Sequence, residues 1–203
     1  MAFISIIPAE QASGDTLEMY RRQQGESDSL PNYAQVFCHR PQLMSAWANL
    51  QATIRETIEP RRYELATLAA ARAIGSSYCS LAYGKTLMKK YFTEDELLAI
   101  TREEQTSPLT EGERLIMKLA RKTAADSSTV NREDVQALHD QGFDDGEIFD
   151  VVASAAARCF FAKLVDALGA LPDAGFADLP IPVQNALVVG RAIEGTEGEK
   201  SQI

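Results

Sequence analysis

A thiol, a carboxylate and a phenol are spaced along Arg61 to Tyr91, RRYELATLAAARAIGSSYCSLAYGKTLMKKY, so that they could converge. The stretch reads as a helix, a tight break at Gly75 and a second helix capped by Ser76 or Ser77. With Ser76 as N-cap, Cys79 takes the third helical position. Unpaired backbone N–H groups and the positive end of the helix dipole there favour a thiolate, which predicts a lowered thiol pKa. The plain alternative is a small buried hydrophobe. Tyr83, four residues on, shares the face of Cys79 and either donates a proton or packs. Glu64 sits among Tyr63, Leu65 and Leu68 on the first helix. A carboxylate in that setting is a solvated edge residue or a buried acid with a raised pKa. Ser76 is accounted for by capping alone, and Arg72, on roughly the face of Glu64, by an ion pair to another helix.

The rest of the chain supplies helices to position this pair. Residues 1–14 read as extended, with Phe3, Ile4, Ile6 and Ile7 laid on a neighbouring surface. Asp15 and Glu18 resemble a capping box for a helix from Thr16 to about Gln24. After the loop 25–32 and a short turn over 32–37, Pro41 opens a helix to about residue 58. Its Leu43, Trp47, Leu50 and Ile54 recur at helical spacing, which predicts one buried face. Pro60 opens the next helix. Thr93–Glu96 and Thr110–Glu113 are capping boxes, Asn131 starts a helix ending near Gly142, and Asp144 caps a long one over about 145–169. Pro172, Pro180 and Pro182 mark a non-helical tail, and GTEGEKSQI at the end reads as disordered. Period-two apolar patterns are absent beyond the first residues. The expected class is therefore all-α, about eight helices in antiparallel pairs. Residues 1–178 read as one domain, followed by the tail 179–203. A faint echo joins AAAR at 69–72 to SAAAR at 154–158.

Composition narrows the function classes. The chain has 203 residues, 45% of them apolar, and a net charge of −9. That is core enough for a folded domain, and the acidity argues against nucleic acid or anionic membrane as partner. No run reaches the length of a membrane span, and MAFISIIPAEQ lacks the basic and apolar regions of a signal peptide. Cys38, Cys79 and Cys159 are odd in number and far apart, which suits a reducing cytoplasm rather than a disulfide framework. No metal-ligand spacing surrounds His39 or His139, and no phosphate loop, nucleophile elbow or dinucleotide fingerprint is present, so neither metal nor cofactor is expected. The alanine-rich helix (Ala66, Ala69, Ala70, Ala71 and Ala73) is apolar on more than one side and must be covered by this chain or by another copy.

The spacing Glu64, Ser76, Cys79, Tyr83 resembles that of the alkylhydroperoxidase D-like, or carboxymuconolactone decarboxylase, superfamily. Pro31-Asn32, Pro41, RRYEL, LTEGERLIMKLARKT and VNREDVQALHDQGFDDGEIFDVVASAAARCFFAKLVDALG resemble its peroxidase-related branch in the same order. The resemblance implies a small-molecule substrate and a homo-oligomer, a trimer or a dimer of trimers. It also implies a Glu, Cys-x-x-Cys, His set that reduces peroxide or a partner disulfide while Glu and His relay protons. Here Ser76 stands for the first cysteine and Tyr83 for the histidine, so 76 and 79 cannot close a disulfide. Three readings follow. One is a peroxidase-like protein with Cys79 as its single reactive thiol, Glu64 as base, Tyr83 as hydrogen-bond donor and an external thiol as reductant; Cys38 or Cys159 resolves the oxidised thiol only if the fold brings it near. The second is a lyase or isomerase working by Glu64 and Tyr83 acid–base chemistry. The third is a non-catalytic scaffold or small-molecule binder.

Overall fold

The computed structural model describes residues 2–25 and 29–196, so the end of GTEGEKSQI from 197 onward lies outside the described residues. Among the described residues ten α-helices run in order: α1 Gly14–Gln24, α2 Asn32–Val36, α3 Pro41–Thr57, α4 Pro60–Ala73, α5 Ser77–Lys90, α6 Glu94–Thr101, α7 Glu111–Asp126, α8 Arg132–Asp140, α9 Asp145–Ala167 and α10 Ile181–Leu187. Among the described residues there is no strand. The protein is an all-α helix bundle, with two helices more than the sequence pattern suggests.

Local chemistry explains the helix starts. Pro41 and Pro60 sit in the first turns of α3 and α4, where a missing N–H costs nothing. Reciprocal capping boxes open α6 at Thr93, α7 at Thr110, α8 at Asn131 and α9 at Asp144. At α1 the expected box does not form. The helix begins after Ser13, and Asp15 instead accepts a hydrogen bond from Gln42 Nε2 at 2.5 Å, tying α1 to α3. The tail is also more regular than its prolines suggest: Pro180 is the N-cap of α10 and Pro182 lies in its first turn.

The core is built around α4, whose residues from Tyr63 to Ala71 are all buried, packed most extensively by α7 and then by α5 and α9. Its alanine-rich sides are thus covered by helices of the same chain. The expectation of a homo-oligomer loses that physical ground. On α3 the predicted stripe is only half right. Trp47 and Ile54 are buried, joined by Met44, whereas Leu43 and Leu50 face out. The stripe is rotated because α3 docks on α9 through Trp47, stacked on Phe161.

The chain after α9 folds back over the start of α5. Tyr78 Oη donates to Asp173, whose other oxygen accepts the Asn32 N–H at 2.7 Å. Arg72 Nη2 donates to the Thr101 carbonyl at 3.1 Å and Nη1 to that of Ala186, so the expected ion pair is a clasp on two chain segments. The Gly190 N–H donates to Ser77 Oγ at 2.7 Å. A Cβ on Gly190 would lie 2.1 Å from the Gly75 carbonyl oxygen, a backbone atom that cannot step aside cheaply. Gly190→Ala is therefore expected to destabilise the fold by about 1–3 kcal/mol, as overpacking does. Thermal melting checks it; an unchanged midpoint would show that this close approach is not required.

Candidate active site

The N-terminal turn of α5 presents Cys79 to α9. Ser76 occupies the N-cap as expected, and Cys79 is the third helical residue. The Ser76 hydroxyl does not bond the helix backbone and forms no well-aligned hydrogen bond, although it lies near enough to the Cys79 thiol and the Asp166 carboxyl to lower both. Capping thus fails to explain Ser76. Its sequence neighbour Ser77 holds Gly190 instead.

Cys79 faces a residue that sequence reasoning passed over. Arg158, from the middle of α9, is only 3% exposed and brings Nη1 to 3.7 Å from Cys79 Sγ. Its Nη2 donates to Tyr83 Oη. The guanidinium lies over three rings, 4.5 Å from the centroid of Tyr83, 5.2 Å from that of Trp47 and 5.3 Å from that of Phe161. No carboxylate forms an ion pair with it among the described residues. Burial works against its charge, while Tyr83, Cys79 and Tyr63 push the other way, and the net shift is upward. The one signal for Arg158 in the sequence is a cation in the middle of an alanine-rich apolar helix.

Gln51 of α3 completes the polar cluster, its Nε2 donating to Tyr63 Oη at 3.0 Å and Tyr83 Oη at 3.2 Å. Burial first, with Tyr63 and Cys79 adding to it, pushes the Tyr83 hydroxyl well above the usual phenol range against the pull of Arg158. Tyr83 is therefore a neutral hydroxyl. A cavity of about 210 Å³ opens beside these groups, lined by Cys79, Tyr83, Arg158 and Gln51 and walled by Trp47 and Phe161.

The expectation for the Cys79 thiol is reversed. Burial pushes it up, opposed by Arg158 and Ser76, and the net shift is upward. The helix dipole argument fails because the thiol is shut away from water, so the neutral form is favoured by desolvation. Glu64 is the buried acid of the two options, 2% exposed, with its carboxyl raised by burial and pulled back by Arg55, Lys90 and Arg158. Its Oε1 accepts from Arg55 Nη2 at 2.7 Å. It does not line the cavity. The fold thus brings Cys79 and Tyr83 together at Arg158, keeps Ser76 beside Cys79 and leaves Glu64 paired with Arg55.

Glu64 makes a stability prediction. Its carboxyl is higher in the folded chain than in the unfolded one, so its contribution is fully present below the unfolded value of roughly 4.3. It is lost as pH rises through the folded value. Glu64→Gln removes the titration, and is expected to gain on the parent protein between about pH 4 and pH 7. Urea unfolding at three pH values across that window measures it. A parent protein that gains instead would mean that Arg55 outweighs burial.

The other thiols point away. Cys38 contacts Tyr20, Cys159 Sγ reaches the Ala124 carbonyl at 4.0 Å, and all three cysteines are free. Among the described residues no group of three or more His, Cys, Asp or Glu is placed to hold a metal. No described helix is long and apolar enough to cross a membrane.

Comparison with known proteins agrees with this architecture. Residues 41–122 match the family described as Carboxymuconolactone decarboxylase family. No curated protein matches the sequence. The chain is similar in structure to the alkylhydroperoxidase AhpD core of an uncharacterized peroxidase-related protein from Ralstonia eutropha JMP134, with TM-score 0.72 and 21% identity, covering 86% of this chain and 94% of that one. A peroxidase-related protein from Silicibacter sp. TM1040 gives TM-score 0.71 and 16% identity over 86% and 91% of the two chains. A cysteine-to-alanine variant of the debrominase Bmp8, in complex with 2,3,4-tribromopyrrole, gives TM-score 0.69 and 16% identity over 92% and 98%. At these identities the likeness is one of fold.

Proposed function

Because the chain belongs to the alkylhydroperoxidase D-like and carboxymuconolactone decarboxylase superfamily, by its residues 41–122 and its fold, we propose that it is a single-cysteine oxidoreductase reducing a small peroxide at Cys79. The observation that carries this reading is the Arg158 guanidinium, 3.7 Å from Cys79 Sγ in a cavity and without a carboxylate partner. A buried cation beside a thiol stabilises negative charge as it develops on sulfur and on the departing oxygen.

The step balances as Cys79–SH plus ROOH giving Cys79–SOH plus ROH. Sulfur takes the terminal peroxide oxygen and is oxidised by two electrons, the O–O bond breaks, and the departing oxygen takes up the proton the thiol gives away. Tyr83 Oη, which accepts from Arg158 and Gln51 and is hydrogen-bonded to Tyr63, lines the cavity and donates to that oxygen by turning its proton from Tyr63. With no second thiol at position 76, an external thiol closes the cycle. It condenses with the sulfenic acid to a mixed disulfide and water, and a second equivalent releases the Cys79 thiol. Glu64, expected as base, takes no part in this reading because Arg55 holds it outside the cavity. The same pairing removes the support for lyase chemistry. The fold accommodates a brominated ring in the debrominase, which fits the cavity's size and aromatic walls here.

The test is to treat the protein with tert-butyl hydroperoxide, trap sulfenic acid with a carbon nucleophile and map the adduct by mass spectrometry. Adduct at Cys79, absent in Cys79→Ala, supports the reading; peroxide consumption unaffected by Cys79→Ala would overturn it. Assembly into a homo-oligomer is a separate proposal, resting on outward Leu43, Leu50 and Phe160. A monomer in light scattering at micromolar concentration would exclude it.

A further inference from the structure

Arg158 raises a question that the cysteine does not answer. Placing a guanidinium in a protein interior costs several kcal/mol unless an anion and a full set of acceptors meet it. Arg158 has neither. Its two terminal nitrogens face Cys79 Sγ and Tyr83 Oη, both protonated groups at neutral pH, and its Nε, sealed from solvent, has no hydrogen-bond partner. The nearby Glu64 carboxylate is held by Arg55 at 2.7 Å. Three aromatic rings offset part of the cost through their π faces, but rings do not neutralise a charge. What is left is a guanidinium that borders the cavity, with Glu64 acting on it only at a distance.

The space has a definite size and character. It measures about 210 Å³. An engineered apolar cavity of about 150 Å³ is enough for benzene. Trp47 and Phe161, stacked on each other with centroids 5.1 Å apart, line it together with Tyr33 and Tyr78, and Gln51, Tyr83 and Arg158 supply its polar atoms. A long alkyl chain exceeds this volume, and a lone inorganic anion leaves the aromatic walls uncovered.

We propose that the Cys79 cavity binds a ring-sized organic monoanion, its acidic group on Arg158 and its flat body against the aromatic residues that line the cavity. This names the substrate class of the site described above and rests on that reading only for the redox step: the peroxide reduced at Cys79 is carried by, or is itself, such an acid. Binding stands apart from that chemistry and is measured apart from it.

Trp47 is the chain's single tryptophan and lines the cavity, so its fluorescence reports occupancy without a label. The probes are benzoate and benzyl alcohol, alike in shape and different in charge, titrated into the parent protein and into Cys79→Ala at neutral pH. The expected result is saturable quenching by benzoate, with benzyl alcohol about tenfold weaker or more, since a hydrogen bond to a charged group contributes roughly 1.5–3 kcal/mol. Arg158→Met is expected to abolish the preference and Arg158→Lys to keep part of it, which covers the case in which one variant fails to fold. Equal affinity for the two probes, no saturable response, or a preference that survives Arg158→Met would overturn the proposal. Because Cys79→Ala retains the binding groups, benzoate binding without sulfenic acid formation would leave the anion site standing and remove the redox reading. Sulfenic acid formation without benzoate binding would do the reverse.

Discussion

Arg158→Met is expected to slow alkylation of Cys79 at neutral pH by about tenfold or more while leaving the protein as stable as before, or more stable. The first half follows from the balance of effects on the thiol. Burial pushes it up and Arg158 is the largest influence holding it down, so losing the cation leaves burial nearly unopposed. One hydrogen bond to a charged group contributes roughly 1.5–3 kcal/mol, or about tenfold and upward in thiolate population. The second half follows from the missing counter-ion. Taking a charge that has no ion-paired carboxylate out of the interior removes its desolvation cost and strands no counter-ion, and a thioether packs well on Trp47, Tyr83 and Phe161. Iodoacetamide kinetics read by mass spectrometry at Cys79, beside urea unfolding of the same samples, check both halves. A variant that loses stability along with reactivity would mark Arg158 as part of the packing and not of the chemistry. In the parent protein the alkylation rate is expected to climb to a midpoint above the free thiol value of roughly 8.5, because the shift is upward.

Leu68→Ala is expected to cost about 2–5 kcal/mol, the range for truncating a fully buried leucine. Leu68 is completely buried at the centre of α4, which α5, α7 and α9 enclose. A helix held on all sides cannot shift to fill the gap. Against a total stability of roughly 5–15 kcal/mol this is a large share. Leu50→Ala on α3, half exposed, is the control and is expected to cost less than about 0.5 kcal/mol. Similar losses at the two positions would mean that α4 is not the organising helix.

The sequence is informative where a local rule decides the outcome. Thr93, Thr110, Asn131 and Asp144 start their helices as their side chains dictate, because a capping box involves only four consecutive residues. Asp15 fails the same test because a partner from α3, Gln42, competes for its carboxylate. Leu43 and Leu50 share a period with Trp47 and Ile54, yet only the latter pair is buried, since periodicity fixes which residues share a face and not where the next helix docks. The site is harder still. Cys79 and Tyr83 sit together because four residues make one helical turn. Arg158 joins them across 79 positions of chain, and nothing local to SAAAR says that its arginine turns inward. The sign of the Cys79 shift was equally out of reach. The helix start is visible in the sequence, whereas the exclusion of water that reverses its effect is a property of the assembled bundle.

The hydrogen bond from Gly190 to Ser77 has a consequence in the order of synthesis. It joins residues 113 positions apart, so a ribosome delivers the helix bearing Cys79 long before the strand of chain that closes over its first turn. Domains form as their segments emerge, at about 5–20 residues per second. For several seconds, then, the newborn chain carries the helix bearing Cys79 with its anchors Asp173 and Gly190 still unmade. Over that interval the first turn of the Cys79 helix lacks the contacts that Gly190 makes with Gly75 and Ser77 in the finished fold.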